Sequence, residues 1–316
     1  MSDESNMARG DVSAFLGFLN GLEGPEMSEL PLPEARASYQ ALLPIAEKDA
    51  VSLAMIRDLS CPGPAGEIPL RLYDARESRG PGPVVMFFHG GGFVIGDLES
   101  HNALCTELAA GLDLPVVAVH YRLAPEAPFP AAPDDCEAAA RWVAGSPAEL
   151  GREVTGLVTT GDSAGGNLTL VVTRDLIEKP AAVPVLVQAP LYPATDESSD
   201  GSMAEFAEGH LLTKTAMDWF MASYAAESGN PRAYPLHGPA AGTPPTVLVT
   251  AGLDPLRDQG RRYAAKLIEA GIDVDYHEKK GSIHGFLNLR KAIPSAQADT
   301  LAIIAAIKAM LLRATA

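Results

Sequence analysis

Short apolar runs alternate with helical stretches from about residue 53 to the end of the chain, and this alternation restricts the possible folds more than any other feature. The candidate strands are residues 53–60, 67–74, 84–88, 115–119, 156–160, 184–189, 246–250 and 273–278. The candidate helices are residues 100–111, 134–145, 164–178, 258–270 and 295–313. Apolar strands separated by helices predict an α/β fold with a mostly parallel, eight-stranded sheet and helices on both faces. The Pro-Gly-Pro-Ala-Gly turn at 62–66 favours an antiparallel pairing of the first two strands.

The stretch Gly161-Asp162-Ser163-Ala164-Gly165 has the pattern G-x-S-x-G and lies between a predicted strand and a predicted helix. In this setting a serine occupies a sharp turn, so that its hydroxyl projects from the sheet edge beside the N-terminus of a helix. The pentapeptide alone is a weak signal, because a glycine-rich turn without any chemistry gives the same pattern. Its position between a strand and a helix favours Ser163 as a nucleophile.

Three consecutive glycines follow the third predicted strand, in the HGGGF stretch at 89–93. Glycines leave backbone N–H groups unobstructed, so that a substrate oxygen can approach them closely. We predict that the N–H groups of Gly91, Gly92 and Ala164 form an oxyanion hole. A phosphate-binding loop is the alternative, but neither of its glycine patterns is complete here. His89 is interpreted as a brace for this loop and not as a base.

The remaining catalytic groups are expected in the order acid, then histidine, after the nucleophile. Asp254 follows the predicted strand at 246–250, and His284 lies in the loop after the last predicted strand. The alternatives are Asp258, which is better placed to cap the following helix, and His277, which lies inside the last predicted strand. No pair of histidines has metal-ligand spacing, so we predict no metal site.

Together these stretches resemble the hormone-sensitive-lipase family of α/β-hydrolases, in its branch of bacterial carboxylesterases. The resemblance rests on HGGGF at 89–93, YRLAPE at 121–126, GDSAGG at 161–166, DPLRD at 254–258 and HGF at 284–286. It implies an α/β-hydrolase fold with a helical cap and no cofactor. It also implies hydrolysis of carboxylic esters with short to medium acyl chains by a triad of Ser163, His284 and Asp254, through an acyl-enzyme intermediate. Because many members of the family are dimers, a homodimer is a further possibility.

The cap is expected from two regions that depart from the alternation of strands and helices. Residues 1–50 carry apolar residues at helical spacing, and residues 190–245 contain no clear strand but show the same spacing around Met217 and Phe220. We therefore predict N-terminal cap helices at 1–50 and a catalytic domain at 51–316, with a cap insertion at about 190–245. An ordinary surface insertion is the alternative interpretation of the inserted segment.

Candidates for the walls of a substrate pocket are large apolar residues near these motifs, and core packing explains each of them equally well. They are Phe93, Leu212, Ile283 and Phe286, together with Phe15, Phe18, Phe206, Met217 and Phe220. The alternatives to a carboxylesterase are an amidase, a long-chain lipase, and a ligand-binding member of the fold without turnover. The presence of all three triad residues argues against the last alternative.

The composition restricts the partners and the location of the chain. A formal net charge of −16 repels nucleic acids and anionic membrane surfaces, so the expected partner is a small-molecule ester. The cysteines Cys61, Cys105 and Cys136 have no paired spacing and are expected to be free thiols. The polar N-terminus is unlike a secretory signal peptide, and no apolar run is expected to approach the roughly 20 residues of a membrane helix. A cytoplasmic protein is therefore predicted.

Overall fold

The computed structural model describes residues 7–316, so the expectations for the first six residues lie outside the described part. Its sheet consists of β1 (Met55–Gly63), β2 (Gly66–Asp74), β3 (Gly82–Phe88), β4 (Val116–Val119), β5 (Val154–Asp162), β6 (Val185–Leu191), β7 (Thr246–Leu253) and β8 (Val274–Ile283). The order across the sheet is β1-β2-β4-β3-β5-β6-β7-β8. Strand β2 is antiparallel to both of its neighbours, and the other adjacent strands are parallel. The predicted sheet is therefore confirmed, including its antiparallel start.

The helices follow the strands as the sequence pattern predicts. They are α1 (Gly10–Asn20), α2 (Leu32–Ala46), α3 (Asn102–Leu112), α4 (Ala131–Ala144), α5 (Ala164–Glu178), α6 (Ser202–Glu205), α7 (Lys214–Tyr224), α8 (Arg257–Glu269) and α9 (Ser295–Ala314). Short 3₁₀ turns lie at Met27–Glu29, Ala148–Leu150, Pro235–His237 and Phe286–Asn288. Between residues 191 and 246 the structure contains α6 and α7 but no strand, which agrees with the sequence pattern.

The central strand β3 shows why the sheet needs helices on both faces. Val85 and Phe87 point to one side, into a core packed beneath α1, α3 and α9. Val84, Met86 and Phe88 point to the other side, into a core packed beneath α4 and α5. Each of these five side chains is fully buried, because a strand covered on both faces has no polar side. The continuous apolar run in the sequence therefore corresponds to a two-sided core.

The N-terminal helices and the segment after β6 meet above the oxyanion-loop glycines. An apolar cluster there combines Leu32 and Tyr39 of α2 with Met203, Leu212 and Phe220 of the later segment. The two regions are thus close in space although they are far apart in the sequence. The division of the chain into a catalytic domain and a cap stays a prediction.

The last helix, α9, corrects one expectation from the sequence. It has 20 residues and a mean hydropathy of 1.4, so by length and composition it is the one helix within residues 7–316 that is long and apolar enough to cross a bilayer. Its buried side chains, among them Ile303, Ile307 and Met310, lie on the face toward β6 and β7. The charges of Asp299 and Lys308 interrupt the apolar run, which is why the sequence pattern gave no such segment. The packing is that of an amphipathic core helix.

A buried ion cluster ties the end of α2 to the loop that follows β8. Arg290 is almost fully buried, and its Nε donates a hydrogen bond to Glu47 at 2.9 Å. A second nitrogen of the same guanidinium donates to Glu107 of α3 at 3.1 Å. Burial raises the pKa of Glu47, although the nearby Arg290 acts in the opposite direction. The Ala46 carbonyl also accepts the N–H groups of residues 291 and 292, so this junction is fixed by several contacts.

Candidate active site

Ser163 lies on the sharp turn between β5 and α5, with a positive φ of 58°. A non-glycine residue rarely adopts such a backbone conformation, which costs energy and persists only where the surroundings enforce it. The flanking Gly161 and Gly165 are required by close approach, because a Cβ at either position would overlap the carbonyl oxygen of Phe88 in β3. The turn thus holds the serine hydroxyl above the carboxyl edge of the sheet.

Asp254 and His284 leave adjacent strands at the same edge. They directly follow Leu253 of β7 and Ile283 of β8, which are paired in register. The predicted last strand ended at residue 278, but its pairing with β7 continues past an irregularity near Ala251. Because of this extension, the acid and the histidine emerge side by side, close to the serine turn.

The three side chains form a continuous hydrogen-bonded chain. His284 Nδ1 lies 2.8 Å from Asp254 Oδ2, and His284 Nε2 lies 2.8 Å from Ser163 Oγ. A carboxylate can only accept hydrogen bonds, so Nδ1 carries the proton and Nε2 is free to accept the serine proton. The other carboxylate oxygen, Asp254 Oδ1, accepts the N–H of Leu256 at 2.8 Å, which fixes its orientation. Asp254 is fully buried and His284 is 7% exposed.

The two alternatives for acid and base lie elsewhere. His277 lies inside β8, where it pairs with Val249 of β7. Asp258 does not cap α8 as predicted, because the helix already begins at Arg257 and places Asp258 in its first turn. There its carboxylate accepts the N–H of Ser202 at 3.0 Å, which links α8 to the segment after β6.

The predicted oxyanion donors lie around Ser163. Gly91 and Gly92 have positive φ angles of 116° and 59°, and together with Ser163 they line the same cavity. Ala164 is the first residue of α5, where N–H groups have no partner within the helix. Among the described residues, no acceptor for the N–H groups of Gly91, Gly92 or Ala164 is found. These free donors beside a serine hydroxyl are the arrangement that binds a negatively charged oxygen.

A buried carboxylate that the sequence analysis did not assign joins the serine turn to the glycine loop. Asp162 accepts the N–H of Gly90 at 2.9 Å and lies 3.2 Å from His101 Nε2. Burial alone would raise the pKa of Asp162, but the nearby His101 and the Gly90 N–H stabilise the carboxylate and lower that pKa. The sequence does contain a signal for this role, which is a charged residue at the end of an apolar strand. A charge that is buried there requires hydrogen-bonding or ionic partners.

The loop is braced from behind by His89, as the sequence analysis proposed. Its ring stacks on Tyr121 with centroids 4.2 Å apart, and Tyr121 donates a hydrogen bond to the His89 carbonyl at 2.7 Å. Burial lowers the pKa of His89 to about 3, and the neighbouring His101 contributes to this shift. His89 is therefore neutral at ordinary pH. The YRLAPE segment thus supports the glycine loop and takes no direct part in the triad.

A main cavity of about 330 Å³ opens at the triad. It contains the triad side chains of Ser163 and His284, and its other walls are largely apolar. The N-terminal region supplies Met27, Tyr39 and Leu42 to these walls, which the sequence analysis missed because periodicity does not show which helix covers a distant site.

Two further cavities lie near Ser163. A small chamber of about 20 Å³ is lined by Ser163 and Ala164, and a second cavity of about 200 Å³ adjoins it through shared lining residues. The residues shared by the chamber and the second cavity are Phe93, Ala194, Met217 and Met221. Residues Leu212 and Phe220 line both the main cavity and the chamber, so they separate these two spaces.

The residues predicted as pocket walls fall into two groups. Phe93, Leu212, Met217 and Phe220 line cavities around Ser163. Ile283 and Phe286 do not, because both are fully buried in the hydrophobic core beneath the site. The other three candidates also lie elsewhere: Phe15 in the same core, Phe18 at the surface, and Phe206 against the guanidinium of Arg257.

Comparisons with known proteins agree with this architecture. Residues 85–288 match a family model described as alpha/beta hydrolase fold. The carboxylic ester hydrolase LipN of Mycobacterium tuberculosis is 41% identical over 268 residues, which are 82% of this chain and 71% of LipN. An ethyl acetate hydrolase of Pseudomonas putida is 33% identical, over 89% of this chain and 91% of its own length.

Solved structures give the same result. An ester hydrolase from the metagenome of Lake Arreo, in complex with a bipyridine phosphonate derivative, superposes with a TM-score of 0.90 and 36% identity. The match covers 96% of this chain and 99% of that protein. A thermostable esterase of Pseudomonas putida has a TM-score of 0.90 and 30% identity, over 98% of this chain and 99% of the esterase. The chain therefore belongs to the α/β-hydrolase family, in its hormone-sensitive-lipase-like branch of bacterial carboxylesterases.

Proposed function

We propose that this chain hydrolyses carboxylic esters with short to medium acyl chains through an acyl-enzyme intermediate. One observation carries the proposal: Asp254, His284 and Ser163 are joined by two hydrogen bonds of 2.8 Å, beside backbone N–H groups that have no partner in the described part of the chain. This constellation performs acyl transfer on unrelated folds, because each group has a defined role in proton transfer and charge stabilisation.

The reaction begins when the Ser163 hydroxyl attacks the ester carbonyl carbon. His284 Nε2 accepts the serine proton, and the Asp254 carboxylate stabilises the resulting imidazolium. The carbonyl oxygen becomes negatively charged and is bound by the N–H groups of Gly91, Gly92 and Ala164. One such donor typically contributes about 2.7–4 kcal/mol to the stability of the transition state.

Collapse of this intermediate breaks the bond to the alcohol. His284 donates its proton to the leaving oxygen, and the acyl group remains on Ser163. A water molecule then enters, loses a proton to His284, and attacks the acyl carbon. The second tetrahedral intermediate releases the carboxylic acid and regenerates the Ser163 hydroxyl.

The size of the main cavity supports a small substrate. A volume of about 330 Å³ lies at the lower end of the range for small-molecule pockets, and its apolar walls suit short hydrocarbon groups. The name of the Pseudomonas putida relative, ethyl acetate hydrolase, points in the same direction. The cytoplasmic location and the homodimer stay predictions from the sequence.

The test compares the unaltered chain with Ser163→Ala on p-nitrophenyl esters of increasing acyl length and on a p-nitroanilide. We expect kcat to fall roughly 10⁴- to 10⁶-fold on every ester, because loss of a triad residue has this effect. The control is Ser78→Ala, an exposed serine in the loop after β2, which should keep full activity. Full activity in Ser163→Ala would exclude the mechanism. Faster hydrolysis of long-chain esters or of the anilide would favour a lipase or an amidase.

A further inference from the structure

The two arms of an ester must leave Ser163 in different directions. The leaving alcohol has to lie near His284, because His284 Nε2 protonates its oxygen. Among the cavities described here for residues 7–316, the main cavity is the one that contains His284, so the alcohol belongs there. The small chamber is lined by Ser163 and Ala164 but not by His284. The acyl group, which stays on the serine, therefore extends into the chamber and toward the second cavity.

The second cavity contains a buried hydrogen-bond acceptor that has no partner. Asn167, one helical turn after the nucleophile, lines this cavity and is only 1% exposed. Its Nδ2 donates to the carbonyls of Ala194 at 2.8 Å and Ala233 at 2.7 Å. Two carbonyl acceptors fix the orientation of the amide, because the reverse orientation would place three oxygens together. The Oδ1 atom has no hydrogen-bond partner among residues 7–316.

The charged residues at this cavity also favour a donor. Its lining includes the carboxylates of Asp196, Glu197 and Asp218, against a single cation, Lys214. Lys214 is paired with Asp218 at 2.5 Å, and Asp196 is paired with Arg262 at 2.9 Å. Most of the lining of both cavities is apolar, but the second cavity has more charged side chains in its wall than the main cavity. The second cavity is thus suited to the end of a chain that carries a hydroxyl or an ammonium group.

We propose that the second cavity binds the far end of the acyl group and that Asn167 Oδ1 accepts a hydrogen bond from a hydroxyl or ammonium group there. The substrate class is an ester whose acyl chain ends in a hydrogen-bond donor. This inference rests on the proposed ester hydrolysis at Ser163. An unpaired buried acceptor costs free energy until a donor or water satisfies it, so a matching acyl end gains selectivity.

The test measures kcat/KM for p-nitrophenyl heptanoate and 6-hydroxyhexanoate, whose acyl chains have the same number of heavy atoms, and for 6-methoxyhexanoate, which is one methyl group longer and is compared with the octanoate for its length. The ether has the same oxygen but no donor, and a parallel series with two more carbons covers a deeper position. We expect the hydroxyl ester to exceed the ether about three- to tenfold at one of the two lengths, the effect of one buried hydrogen bond. Equal rates for the hydroxyl and ether esters at both lengths would overturn the proposal.

A second series places the same hydroxyl on the alcohol arm. It compares the monoacetate of 1,6-hexanediol with hexyl acetate. We expect no gain from the hydroxyl there, because the alcohol arm lies in the main cavity. A gain confined to the alcohol arm would show that the two arms are assigned the wrong way round, and the proposal would fail.

The variant Asn167→Leu removes the acceptor, and we expect its hydroxyl-to-ether ratio to fall to about one. The ratio is independent of the amount of folded enzyme, because both esters are measured on one preparation. The matched control is Ser28→Ala, which removes an unpartnered buried oxygen from the main cavity and should leave the ratio unchanged. An unchanged ratio in Asn167→Leu would refute the role of Asn167. If this variant does not fold, the ester series on the unaltered chain decides.

Failure of this inference differs from failure of the proposed function. Hydrolysis of p-nitrophenyl acetate that depends on Ser163 supports the triad, whatever the selectivity for the acyl end. Loss of the hydroxyl preference alone would therefore refute only the role of the second cavity.

Discussion

Replacing Asp162 with asparagine isolates the contribution of the carboxylate that joins the nucleophile turn to the oxyanion loop. Asparagine has the same shape and still offers one oxygen to the Gly90 N–H. It carries no charge, and its amide nitrogen, in place of Oδ2, cannot accept a hydrogen bond from His101 or Asn288, each of which lies 3.4 Å from Oδ2 of the carboxylate. The substitution therefore acts on the hydrogen bonds that hold the glycine loop in place.

The expected loss of activity follows from these contacts. A hydrogen bond to a charged group contributes about 1.5–3 kcal/mol and a neutral one about 1 kcal/mol, so the hydrogen bond from the Gly90 N–H to residue 162 weakens by about 1 kcal/mol. Full loss of one oxyanion donor costs about 2.7–4 kcal/mol, which sets the upper limit. We expect Asp162→Asn to lower kcat about 5- to 100-fold on p-nitrophenyl acetate, with a smaller change in KM.

The matched control is Asp135→Asn, which alters another buried aspartate that accepts hydrogen bonds from an arginine, Arg122, at 2.7 and 2.8 Å. It should lower the melting temperature but leave kcat within about twofold. Stopped-flow or steady-state rates and thermal melts on both variants provide the measurement. A kcat for Asp162→Asn within twofold of the unaltered chain, or equal losses of kcat in both variants, would refute the positioning role of Asp162.

Three further predictions concern the triad, the turn and the response to acid. Asp254→Asn should lower kcat about 10⁴-fold, because the histidine adopts the wrong tautomer, and steady-state rates near those of the unaltered chain would contradict this. Gly165→Ala should lower the free energy of unfolding by several kcal/mol, because the added Cβ would overlap the backbone of β3. The control is Gly80→Ala, at a position with open space around it, and equal urea midpoints for the two variants would refute the overlap. Because the folded pKa of His89 is about 3, below its unfolded value, protonation of the unfolded chain should cost about 2 kcal/mol of stability between pH 7 and 5. The free energy of unfolding, measured in urea at several pH values, should fall less between pH 7 and 5 in His89→Gln than in the unaltered chain. An equal fall in both proteins would contradict the prediction.

The sequence predicted the elements of the site that depend on short, local patterns. Ser163 lies within one pentapeptide, and its turn requires small neighbours that the sequence displays directly. Asp254 and His284 follow strand ends, and parallel strands bring such ends to one edge. The choice of the triad residues was therefore possible from the order of the strands, whereas the side-by-side position of the acid and the histidine depends on the extension of β8 past its predicted end.

The pocket residues were not predictable in the same way. Whether a side chain near a turn points into the core or into a cavity cannot be read from its position in the sequence. Ile283 and Phe286 flank the histidine in the sequence, yet both point into the core. Tyr39 and Asn167 line cavities because of how α2 and α5 pack, and their own sequence neighbours show no sign of this. The role of Asp162 could not be predicted because it depends on a hydrogen bond from the N–H of Gly90, which is 72 residues away in the sequence.

The buried guanidinium of Arg290 makes the N-terminal helices inseparable from the rest of the molecule. A chain shortened past residue 47 would leave that cation in an apolar interior with Glu107 as its remaining partner among the described residues, at a cost of about 3–5 kcal/mol for a broken buried pair. The same truncation would uncover the loop that carries His284 toward the serine. The first helices of this enzyme are thus part of its folding unit, and exchanging them between relatives requires exchanging their anchor as well.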